Sequence, residues 1–70
     1  MSTVDARGLS CPQPVLLAIE EIESGSDAEI VVLVDTETSR ENVTRAATSK
    51  GCTVVNTMAE GEGFKITLKK

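Results

Sequence analysis

Glu29-Ile30-Val31-Val32-Leu33-Val34-Asp35 is the stretch whose reading decides the fold. Ile30 to Val34 is an unbroken run of β-formers, nearly all β-branched, with an acid at each end. A strand with one wet face would alternate, so a continuous run predicts a strand buried on both faces, at the centre of a sheet. No apolar run in the chain exceeds five residues, far short of the ~20 needed to cross a bilayer.

On the amino-terminal side, Thr3 to Ala6 predicts a short strand, with Val4 and Ala6 on one face and Thr3 and Asp5 on the other. Arg7-Gly8 ends it. Pro12 then suits the first position of a helix, where its missing N–H has no partner to lose and its fixed φ is already helical. Val15, Ile19 and Ile22, with Leu16 and Ala18 beside them, form the expected apolar face. Ser24-Gly25-Ser26-Asp27 stops the helix, with Gly25 as the expected left-handed residue.

On the carboxyl-terminal side, Thr38 and Glu41 have the spacing of a capping box. A second helix runs from there to about Lys50, turning Val43, Ala46 and Ala47 inward, and Gly51 closes it. Cys52 to Met58 and Gly63 to Lys69 read as strands joined by a Gly-bearing hairpin. The order is β-α-β-α-β-β. Right-handed crossovers make the first three strands parallel, and the hairpin makes the last antiparallel. The fold class is therefore α+β, a two-layer α/β sandwich: a four-stranded mixed sheet with two helices on one face. The other face is left without a helix. Val31, Leu33 or their neighbours point there, so solvent or self-association with a second copy would cover it.

Seventy residues make one domain, 1–70, and a core of this size leaves a net stability of about 3–5 kcal/mol. One Phe and no Trp or Tyr make that core aliphatic. The net charge of −4, with no basic stripe and almost no aromatic residue, argues against a nucleic-acid partner. An acidic shell favours solubility or a basic protein surface. No apolar leader follows Met1, so the expected location is cytoplasmic, without membrane insertion. Two cysteines in such a compartment are expected as free thiols.

The chemistry concentrates in Gly8-Leu9-Ser10-Cys11-Pro12-Gln13-Pro14. Cys11 precedes Pro12 and so stands at or beside the N-cap of the first helix, where unpaired N–H groups and the helix dipole favour a thiolate. Pro12 and Pro14 remove two donors, while Gln13 and Val15 keep theirs. Arg7 adds a second source of positive potential or is an ordinary surface cation. A thiol pKa lowered from about 8.5 to about 7 would ionise half of it. By position alone Cys11 is equally a small buried residue. Cys52, which opens a strand after Gly51, reads as structural and lies roughly 15 Å or more from Cys11, beyond disulfide reach. Asp5 and Asp35 end neighbouring strands on the Cys11 edge, where carboxylates cap loops or contact a partner. Arg40 and Arg45 fall on the outer side of the second helix.

The chain contains no His. That excludes a Cys-His dyad and, with only two Cys, an ordinary structural zinc site. Phosphate-cradle and dinucleotide motifs are absent as well, so no metal and no cofactor is expected. Thiol chemistry that needs no internal base remains.

Val4-Asp5-Ala6-Arg7-Gly8-Leu9-Ser10-Cys11-Pro12-Gln13-Pro14-Val15 closely resembles the signature of the TusA/SirA/YedF family of small sulfur-transfer proteins, whose core is Arg-Gly-Leu-x-Cys-Pro-x-Pro. The resemblance extends over essentially the whole chain. It implies that Cys11 carries a persulfide, received from a cysteine desulfurase or rhodanese-like donor and passed to an acceptor protein. Arg7, Gly8, Pro12 and Pro14 belong to the same motif. The implied fold is the two-layer sandwich also found in the C-terminal domain of a bacterial translation initiation factor. Val34 to Arg45 looks most like the YedF branch, which is linked with selenium metabolism. The alternative function is a regulatory or protein-interaction module without thiol chemistry.

Overall fold

A computed structural model describes residues 2–9, 13–25 and 28–70. Its elements are β1 (Ser2–Asp5), α1 (Gln13–Ser24), β2 (Glu29–Val34), α2 (Glu37–Ser49), β3 (Thr53–Glu60) and β4 (Gly63–Lys69). They form one mixed sheet in the order β1-β2-β4-β3. β1 runs parallel to β2, while β4 is antiparallel to both β2 and β3. This is the expected α+β sandwich, with the hairpin's second strand inserted between β2 and β3.

The reason for that order lies in the side chains. β2 and β4 are the two strands able to fill the space beneath the helices with large residues, and they take the centre. Ile30, Val32 and Val34 of β2 and Ile66 and Leu68 of β4 are at most 1% exposed. They pack with Ala18 and Ile22 of α1 and Val43 and Ala47 of α2 into one aliphatic core. Small Ala residues on the helices let both approach the sheet closely. On the sheet's open face Val31 is buried by its neighbours even without a helix above it, and Leu33 is half-buried. Thr67 beside Val31 and Lys65 beside Leu33 share that face.

Several local expectations are corrected. The buried stripe of α1 is Pro14, Ala18 and Ile22, flanked by Val15 and Leu17, whereas Leu16 is 52% exposed. At roughly 100° per residue, Leu16 sits almost opposite that stripe. Pro14 is thus a core residue as well as a first-turn residue. The N-cap of α2 is Thr36, not Thr38: its hydroxyl accepts from the Ser39 amide at 3.1 Å. Ser39 stands where a capping box would need Glu, so the box does not form. Gly25 does not adopt positive φ. Its amide donates to the Glu21 carbonyl at 2.8 Å, and the Glu21 carbonyl and carboxylate occupy the space a Cβ would need. Gly51 closes α2 with φ +87, as expected.

Gly61, at φ +61, opens the two-residue turn between β3 and β4; Gly at the first central position marks a type II′ hairpin. Among the described residues no helix is long and apolar enough to cross a membrane.

Candidate functional site

The carboxyl ends of β1 and β2 lie side by side, because those strands are parallel neighbours. The Ala6 amide donates to the Leu33 carbonyl at 2.8 Å, carrying the ladder one residue beyond β1. After Ala6 the chain must leave the sheet, and two carboxylates direct how it does so.

Asp5 accepts from the Arg7 amide at 3.2 Å and from the Arg7 Nε and Nη2 at 2.9 Å each. That is a bidentate, charge-assisted pair closed over two residues. The side-chain and backbone hydrogen bonds from Arg7 lower the Asp5 carboxyl from 3.8 to about 2. Arg7 is raised in turn, first by the Asp5 hydrogen bond and then by the attraction of Asp5, Glu60 and Asp35. Asp35, just past β2, accepts from the Gly8 amide at 2.7 Å across 27 residues of sequence. Gly8 has φ +79, a conformation that side chains resist. Gly63 secures Asp35 from beneath, since a Cβ there would collide with the Val34 carbonyl oxygen and the Asp35 Cα.

Asp5 and Asp35 therefore do what loop-capping carboxylates do: they fix the turn Arg7-Gly8 from two strands. Arg7 commits two of its donors to Asp5, so its positive potential is largely neutralised locally. The remaining guanidinium donors stay exposed, as the side chain is 56% accessible. Cys11 and Pro12 lie outside the described residues. Gln13, the first residue of α1, is exposed, and Pro14 behind it is buried.

Cys52 is 7% exposed and a free thiol within the core, its amide bonded to the Ala47 carbonyl at 3.0 Å. Arg40 departs from the expected outer position. Its guanidinium lies 5.5 Å from the centroid of the Phe64 ring and reaches Glu37 at 3.3 Å, so it bridges α2 and β4 near the same end of the sheet. Arg45 is exposed as expected. Sequence reasoning missed the Arg40–Phe64 contact, and the only available signal was a lone aromatic ring in an aliphatic chain.

Residues 2–70 match the family model described as Sulfurtransferase TusA. The chain belongs to the TusA family. A Methanocaldococcus jannaschii protein named "putative sulfur carrier protein" is 37% identical over 73 residues, covering 100% of this chain and 95% of its own. The crystal structure of a SirA-like protein from Desulfitobacterium hafniense superposes with a TM-score of 0.86 at 29% identity, covering 99% and 96% of the two chains. Membership of this sulfur-carrier family implies, in general, a donor and an acceptor partner.

Proposed function

We propose that the chain relays sulfur as a persulfide on Cys11. The supporting observation is the tethered turn Arg7-Gly8, which ends three residues before Cys11. Gly8 is fixed to Asp35 and Arg7 to Asp5, and α1 begins two residues after Cys11, so the motif is bracketed by anchored elements. Such bracketing gives a nucleophile a reproducible approach to a partner's sulfur.

In the loading step the Cys11 thiolate attacks the outer sulfur of a donor persulfide, supplied by a cysteine desulfurase or rhodanese-like protein. A new S–S bond forms at Cys11, the donor's S–S bond breaks, and the donor cysteine leaves as a thiolate. It takes up the proton that Cys11 gave to solvent, and no net oxidation occurs. In delivery an acceptor nucleophile attacks the terminal sulfur, and Cys11 departs as thiolate. The open donors of Arg7 and the exposed Gln13 would meet the incoming partner, while Pro12 and Pro14 restrict which backbone N–H groups hold the anion.

Incubation with a cysteine desulfurase and cysteine, followed by intact mass measurement, tests the reading. Wild type gains the mass of one sulfur and Cys11→Ser gains none, since Cys52 is buried. Absence of the gain in wild type, or an equal gain in Cys11→Ser, overturns it. The likeness of Val34 to Arg45 to the YedF branch motivates a parallel trial with a selenium donor.

A further inference from the structure

β1 and β3 are the two edges of the sheet, and they differ as edges. β1 has four residues and ends on Asp5, a short, charged edge of the kind that resists pairing with another chain. β3 has eight residues, Thr53-Val54-Val55-Asn56-Thr57-Met58-Ala59-Glu60, with a single charge at its last position. All but Val54 are exposed, including Val55 at 54% and Met58 at 53%. The protective feature it carries is the bulge between Val54 and Asn56.

The backbone of β3 offers a specific row of partners. A two-residue turn makes Glu60 and Gly63 a pair that exchanges both hydrogen bonds, and the antiparallel alternation then turns Met58 and Asn56 inward to β4. The N–H and C=O of Thr57 and Ala59 consequently face outward. We infer that β3 is a self-pairing edge: two copies of this chain join antiparallel along β3, about a two-fold axis near Thr57, into one eight-stranded sheet.

Charge selects a second copy as the occupant. Asn56, Met58 and Glu60 share the open face of the sheet with Thr67 and Lys65 of β4, and Thr53 shares it with Lys69. The edge is thus acidic at the hairpin, with Glu60 and Glu62, and carries no acid at the Thr53 end, where the nearest charge inward is Lys69 of β4, flanked by Thr53 on one side and Glu29 on the other. Only antiparallel pairing places Glu60 of each copy beside the Thr53–Lys69 end of the other, on the same face. A parallel arrangement sets like charges together. The two Met58 side chains also meet near the axis and lose exposure. Because the two-fold sets the hairpin half of each strand against the bulged half of the other, the bulge weakens both ends of the ladder equally and association depends on concentration. The turn at Gly8 departs from β1, the opposite edge of the sheet, although Arg7 still feels the charge of Glu60; the loading assay below therefore uses a variant that leaves both residues in place.

Sedimentation equilibrium from micromolar to millimolar concentration tests this. Wild-type mass is expected to rise from 7.4 kDa toward twice that value. Thr57→Pro removes an outward N–H without costing a bond to β4 and is expected to stay at the monomer mass with an unchanged circular dichroism spectrum. Glu60→Lys weakens the dimer, and adding Lys69→Glu restores it. A wild type that remains monomeric throughout, a Thr57→Pro variant that associates like wild type, or a charge swap that fails to restore pairing overturns the inference. Sulfur loading of Cys11, measured on the same Thr57→Pro sample, is expected to be unchanged, so the two proposals fail independently.

Discussion

On the helix-covered side of the sheet Ile30, Val32, Val34, Ile66 and Leu68 are at most 1% exposed. At the carboxyl ends of β1 and β2, a few residues away along the same strands, Asp5, Arg7, Gly8 and Asp35 are all exposed. The first region is held by apolar area removed from water, at about 25 cal/mol per Å², and its contacts succeed or fail together. The second is held by a handful of directed polar bonds in solvent, each of small net worth. The difference teaches how a small carrier divides its labour. The core sets where the strand ends are, and the carboxylates set how the loop leaves them. Such a loop can open locally while the sheet stays intact, which suits a segment that must meet two partners in turn.

Removing methylenes from the first region is expected to have the largest effect. Ile66→Ala empties a fully buried position between β2 and β3 and costs about 2–5 kcal/mol. That rivals the whole net stability expected of a 70-residue core. Urea titration followed by circular dichroism should find the variant largely unfolded or with a much-lowered midpoint. A loss under about 1 kcal/mol would show that the core tolerates collapse at this position.

A cut in the second region should be felt locally. Asp35→Ala deletes the acceptor of the Gly8 amide, and the global urea midpoint should move by less than about 1 kcal/mol. Hydrogen exchange at Gly8 should quicken several-fold. Asp35→Asn keeps one acceptor oxygen and should retain much of the protection. If Asp35→Ala instead unfolds the chain as Ile66→Ala does, the two regions are one cooperative unit and the distinction fails.

The same division explains what the sequence could disclose. Patterns set by burial were readable: the run Ile30–Val34 announced a central strand, and Gly63 to Lys69 announced the strand that follows the hairpin. Choices set by geometry between elements were not. Thr36 and Thr38 both carry a hydroxyl near the start of α2, and only the short span from Val34 to the helix decides that Thr36 caps it. Leu16 and Leu17 are adjacent and equally apolar; which one turns inward depends on the phase at which Pro14 enters the core. Asp5 and Asp35 could be placed on one edge from strand polarity. Their targets, the Arg7 guanidinium and the Gly8 amide, depend on a turn whose positive φ at Gly8 no spacing rule specifies. Of the candidate site, Arg7, Gly8, Asp5 and Asp35 are brought together, and Gln13 and Pro14 begin the helix that follows.

The weakest link in the second region is the one most open to titration. Asp5 is exposed, yet Arg7 holds its carboxyl at about 2 instead of 3.8. A folded-state pKa below the unfolded value means the pair contributes stability above roughly pH 4, the unfolded carboxylate value. That contribution is lost as pH falls through about 2. Both partners are in solvent, so the effect is small and shrinks with added salt. Carbon-detected NMR of the Asp5 carboxyl should give a midpoint near 2 at low ionic strength, drifting up with salt. In Arg7→Ala it should return toward 3.8. A wild-type midpoint already near 3.8 would mean that Arg7 swings free of Asp5 in solution. Its full charge would then be available at the loop, and the turn before Cys11 would rest on the Gly8–Asp35 bond.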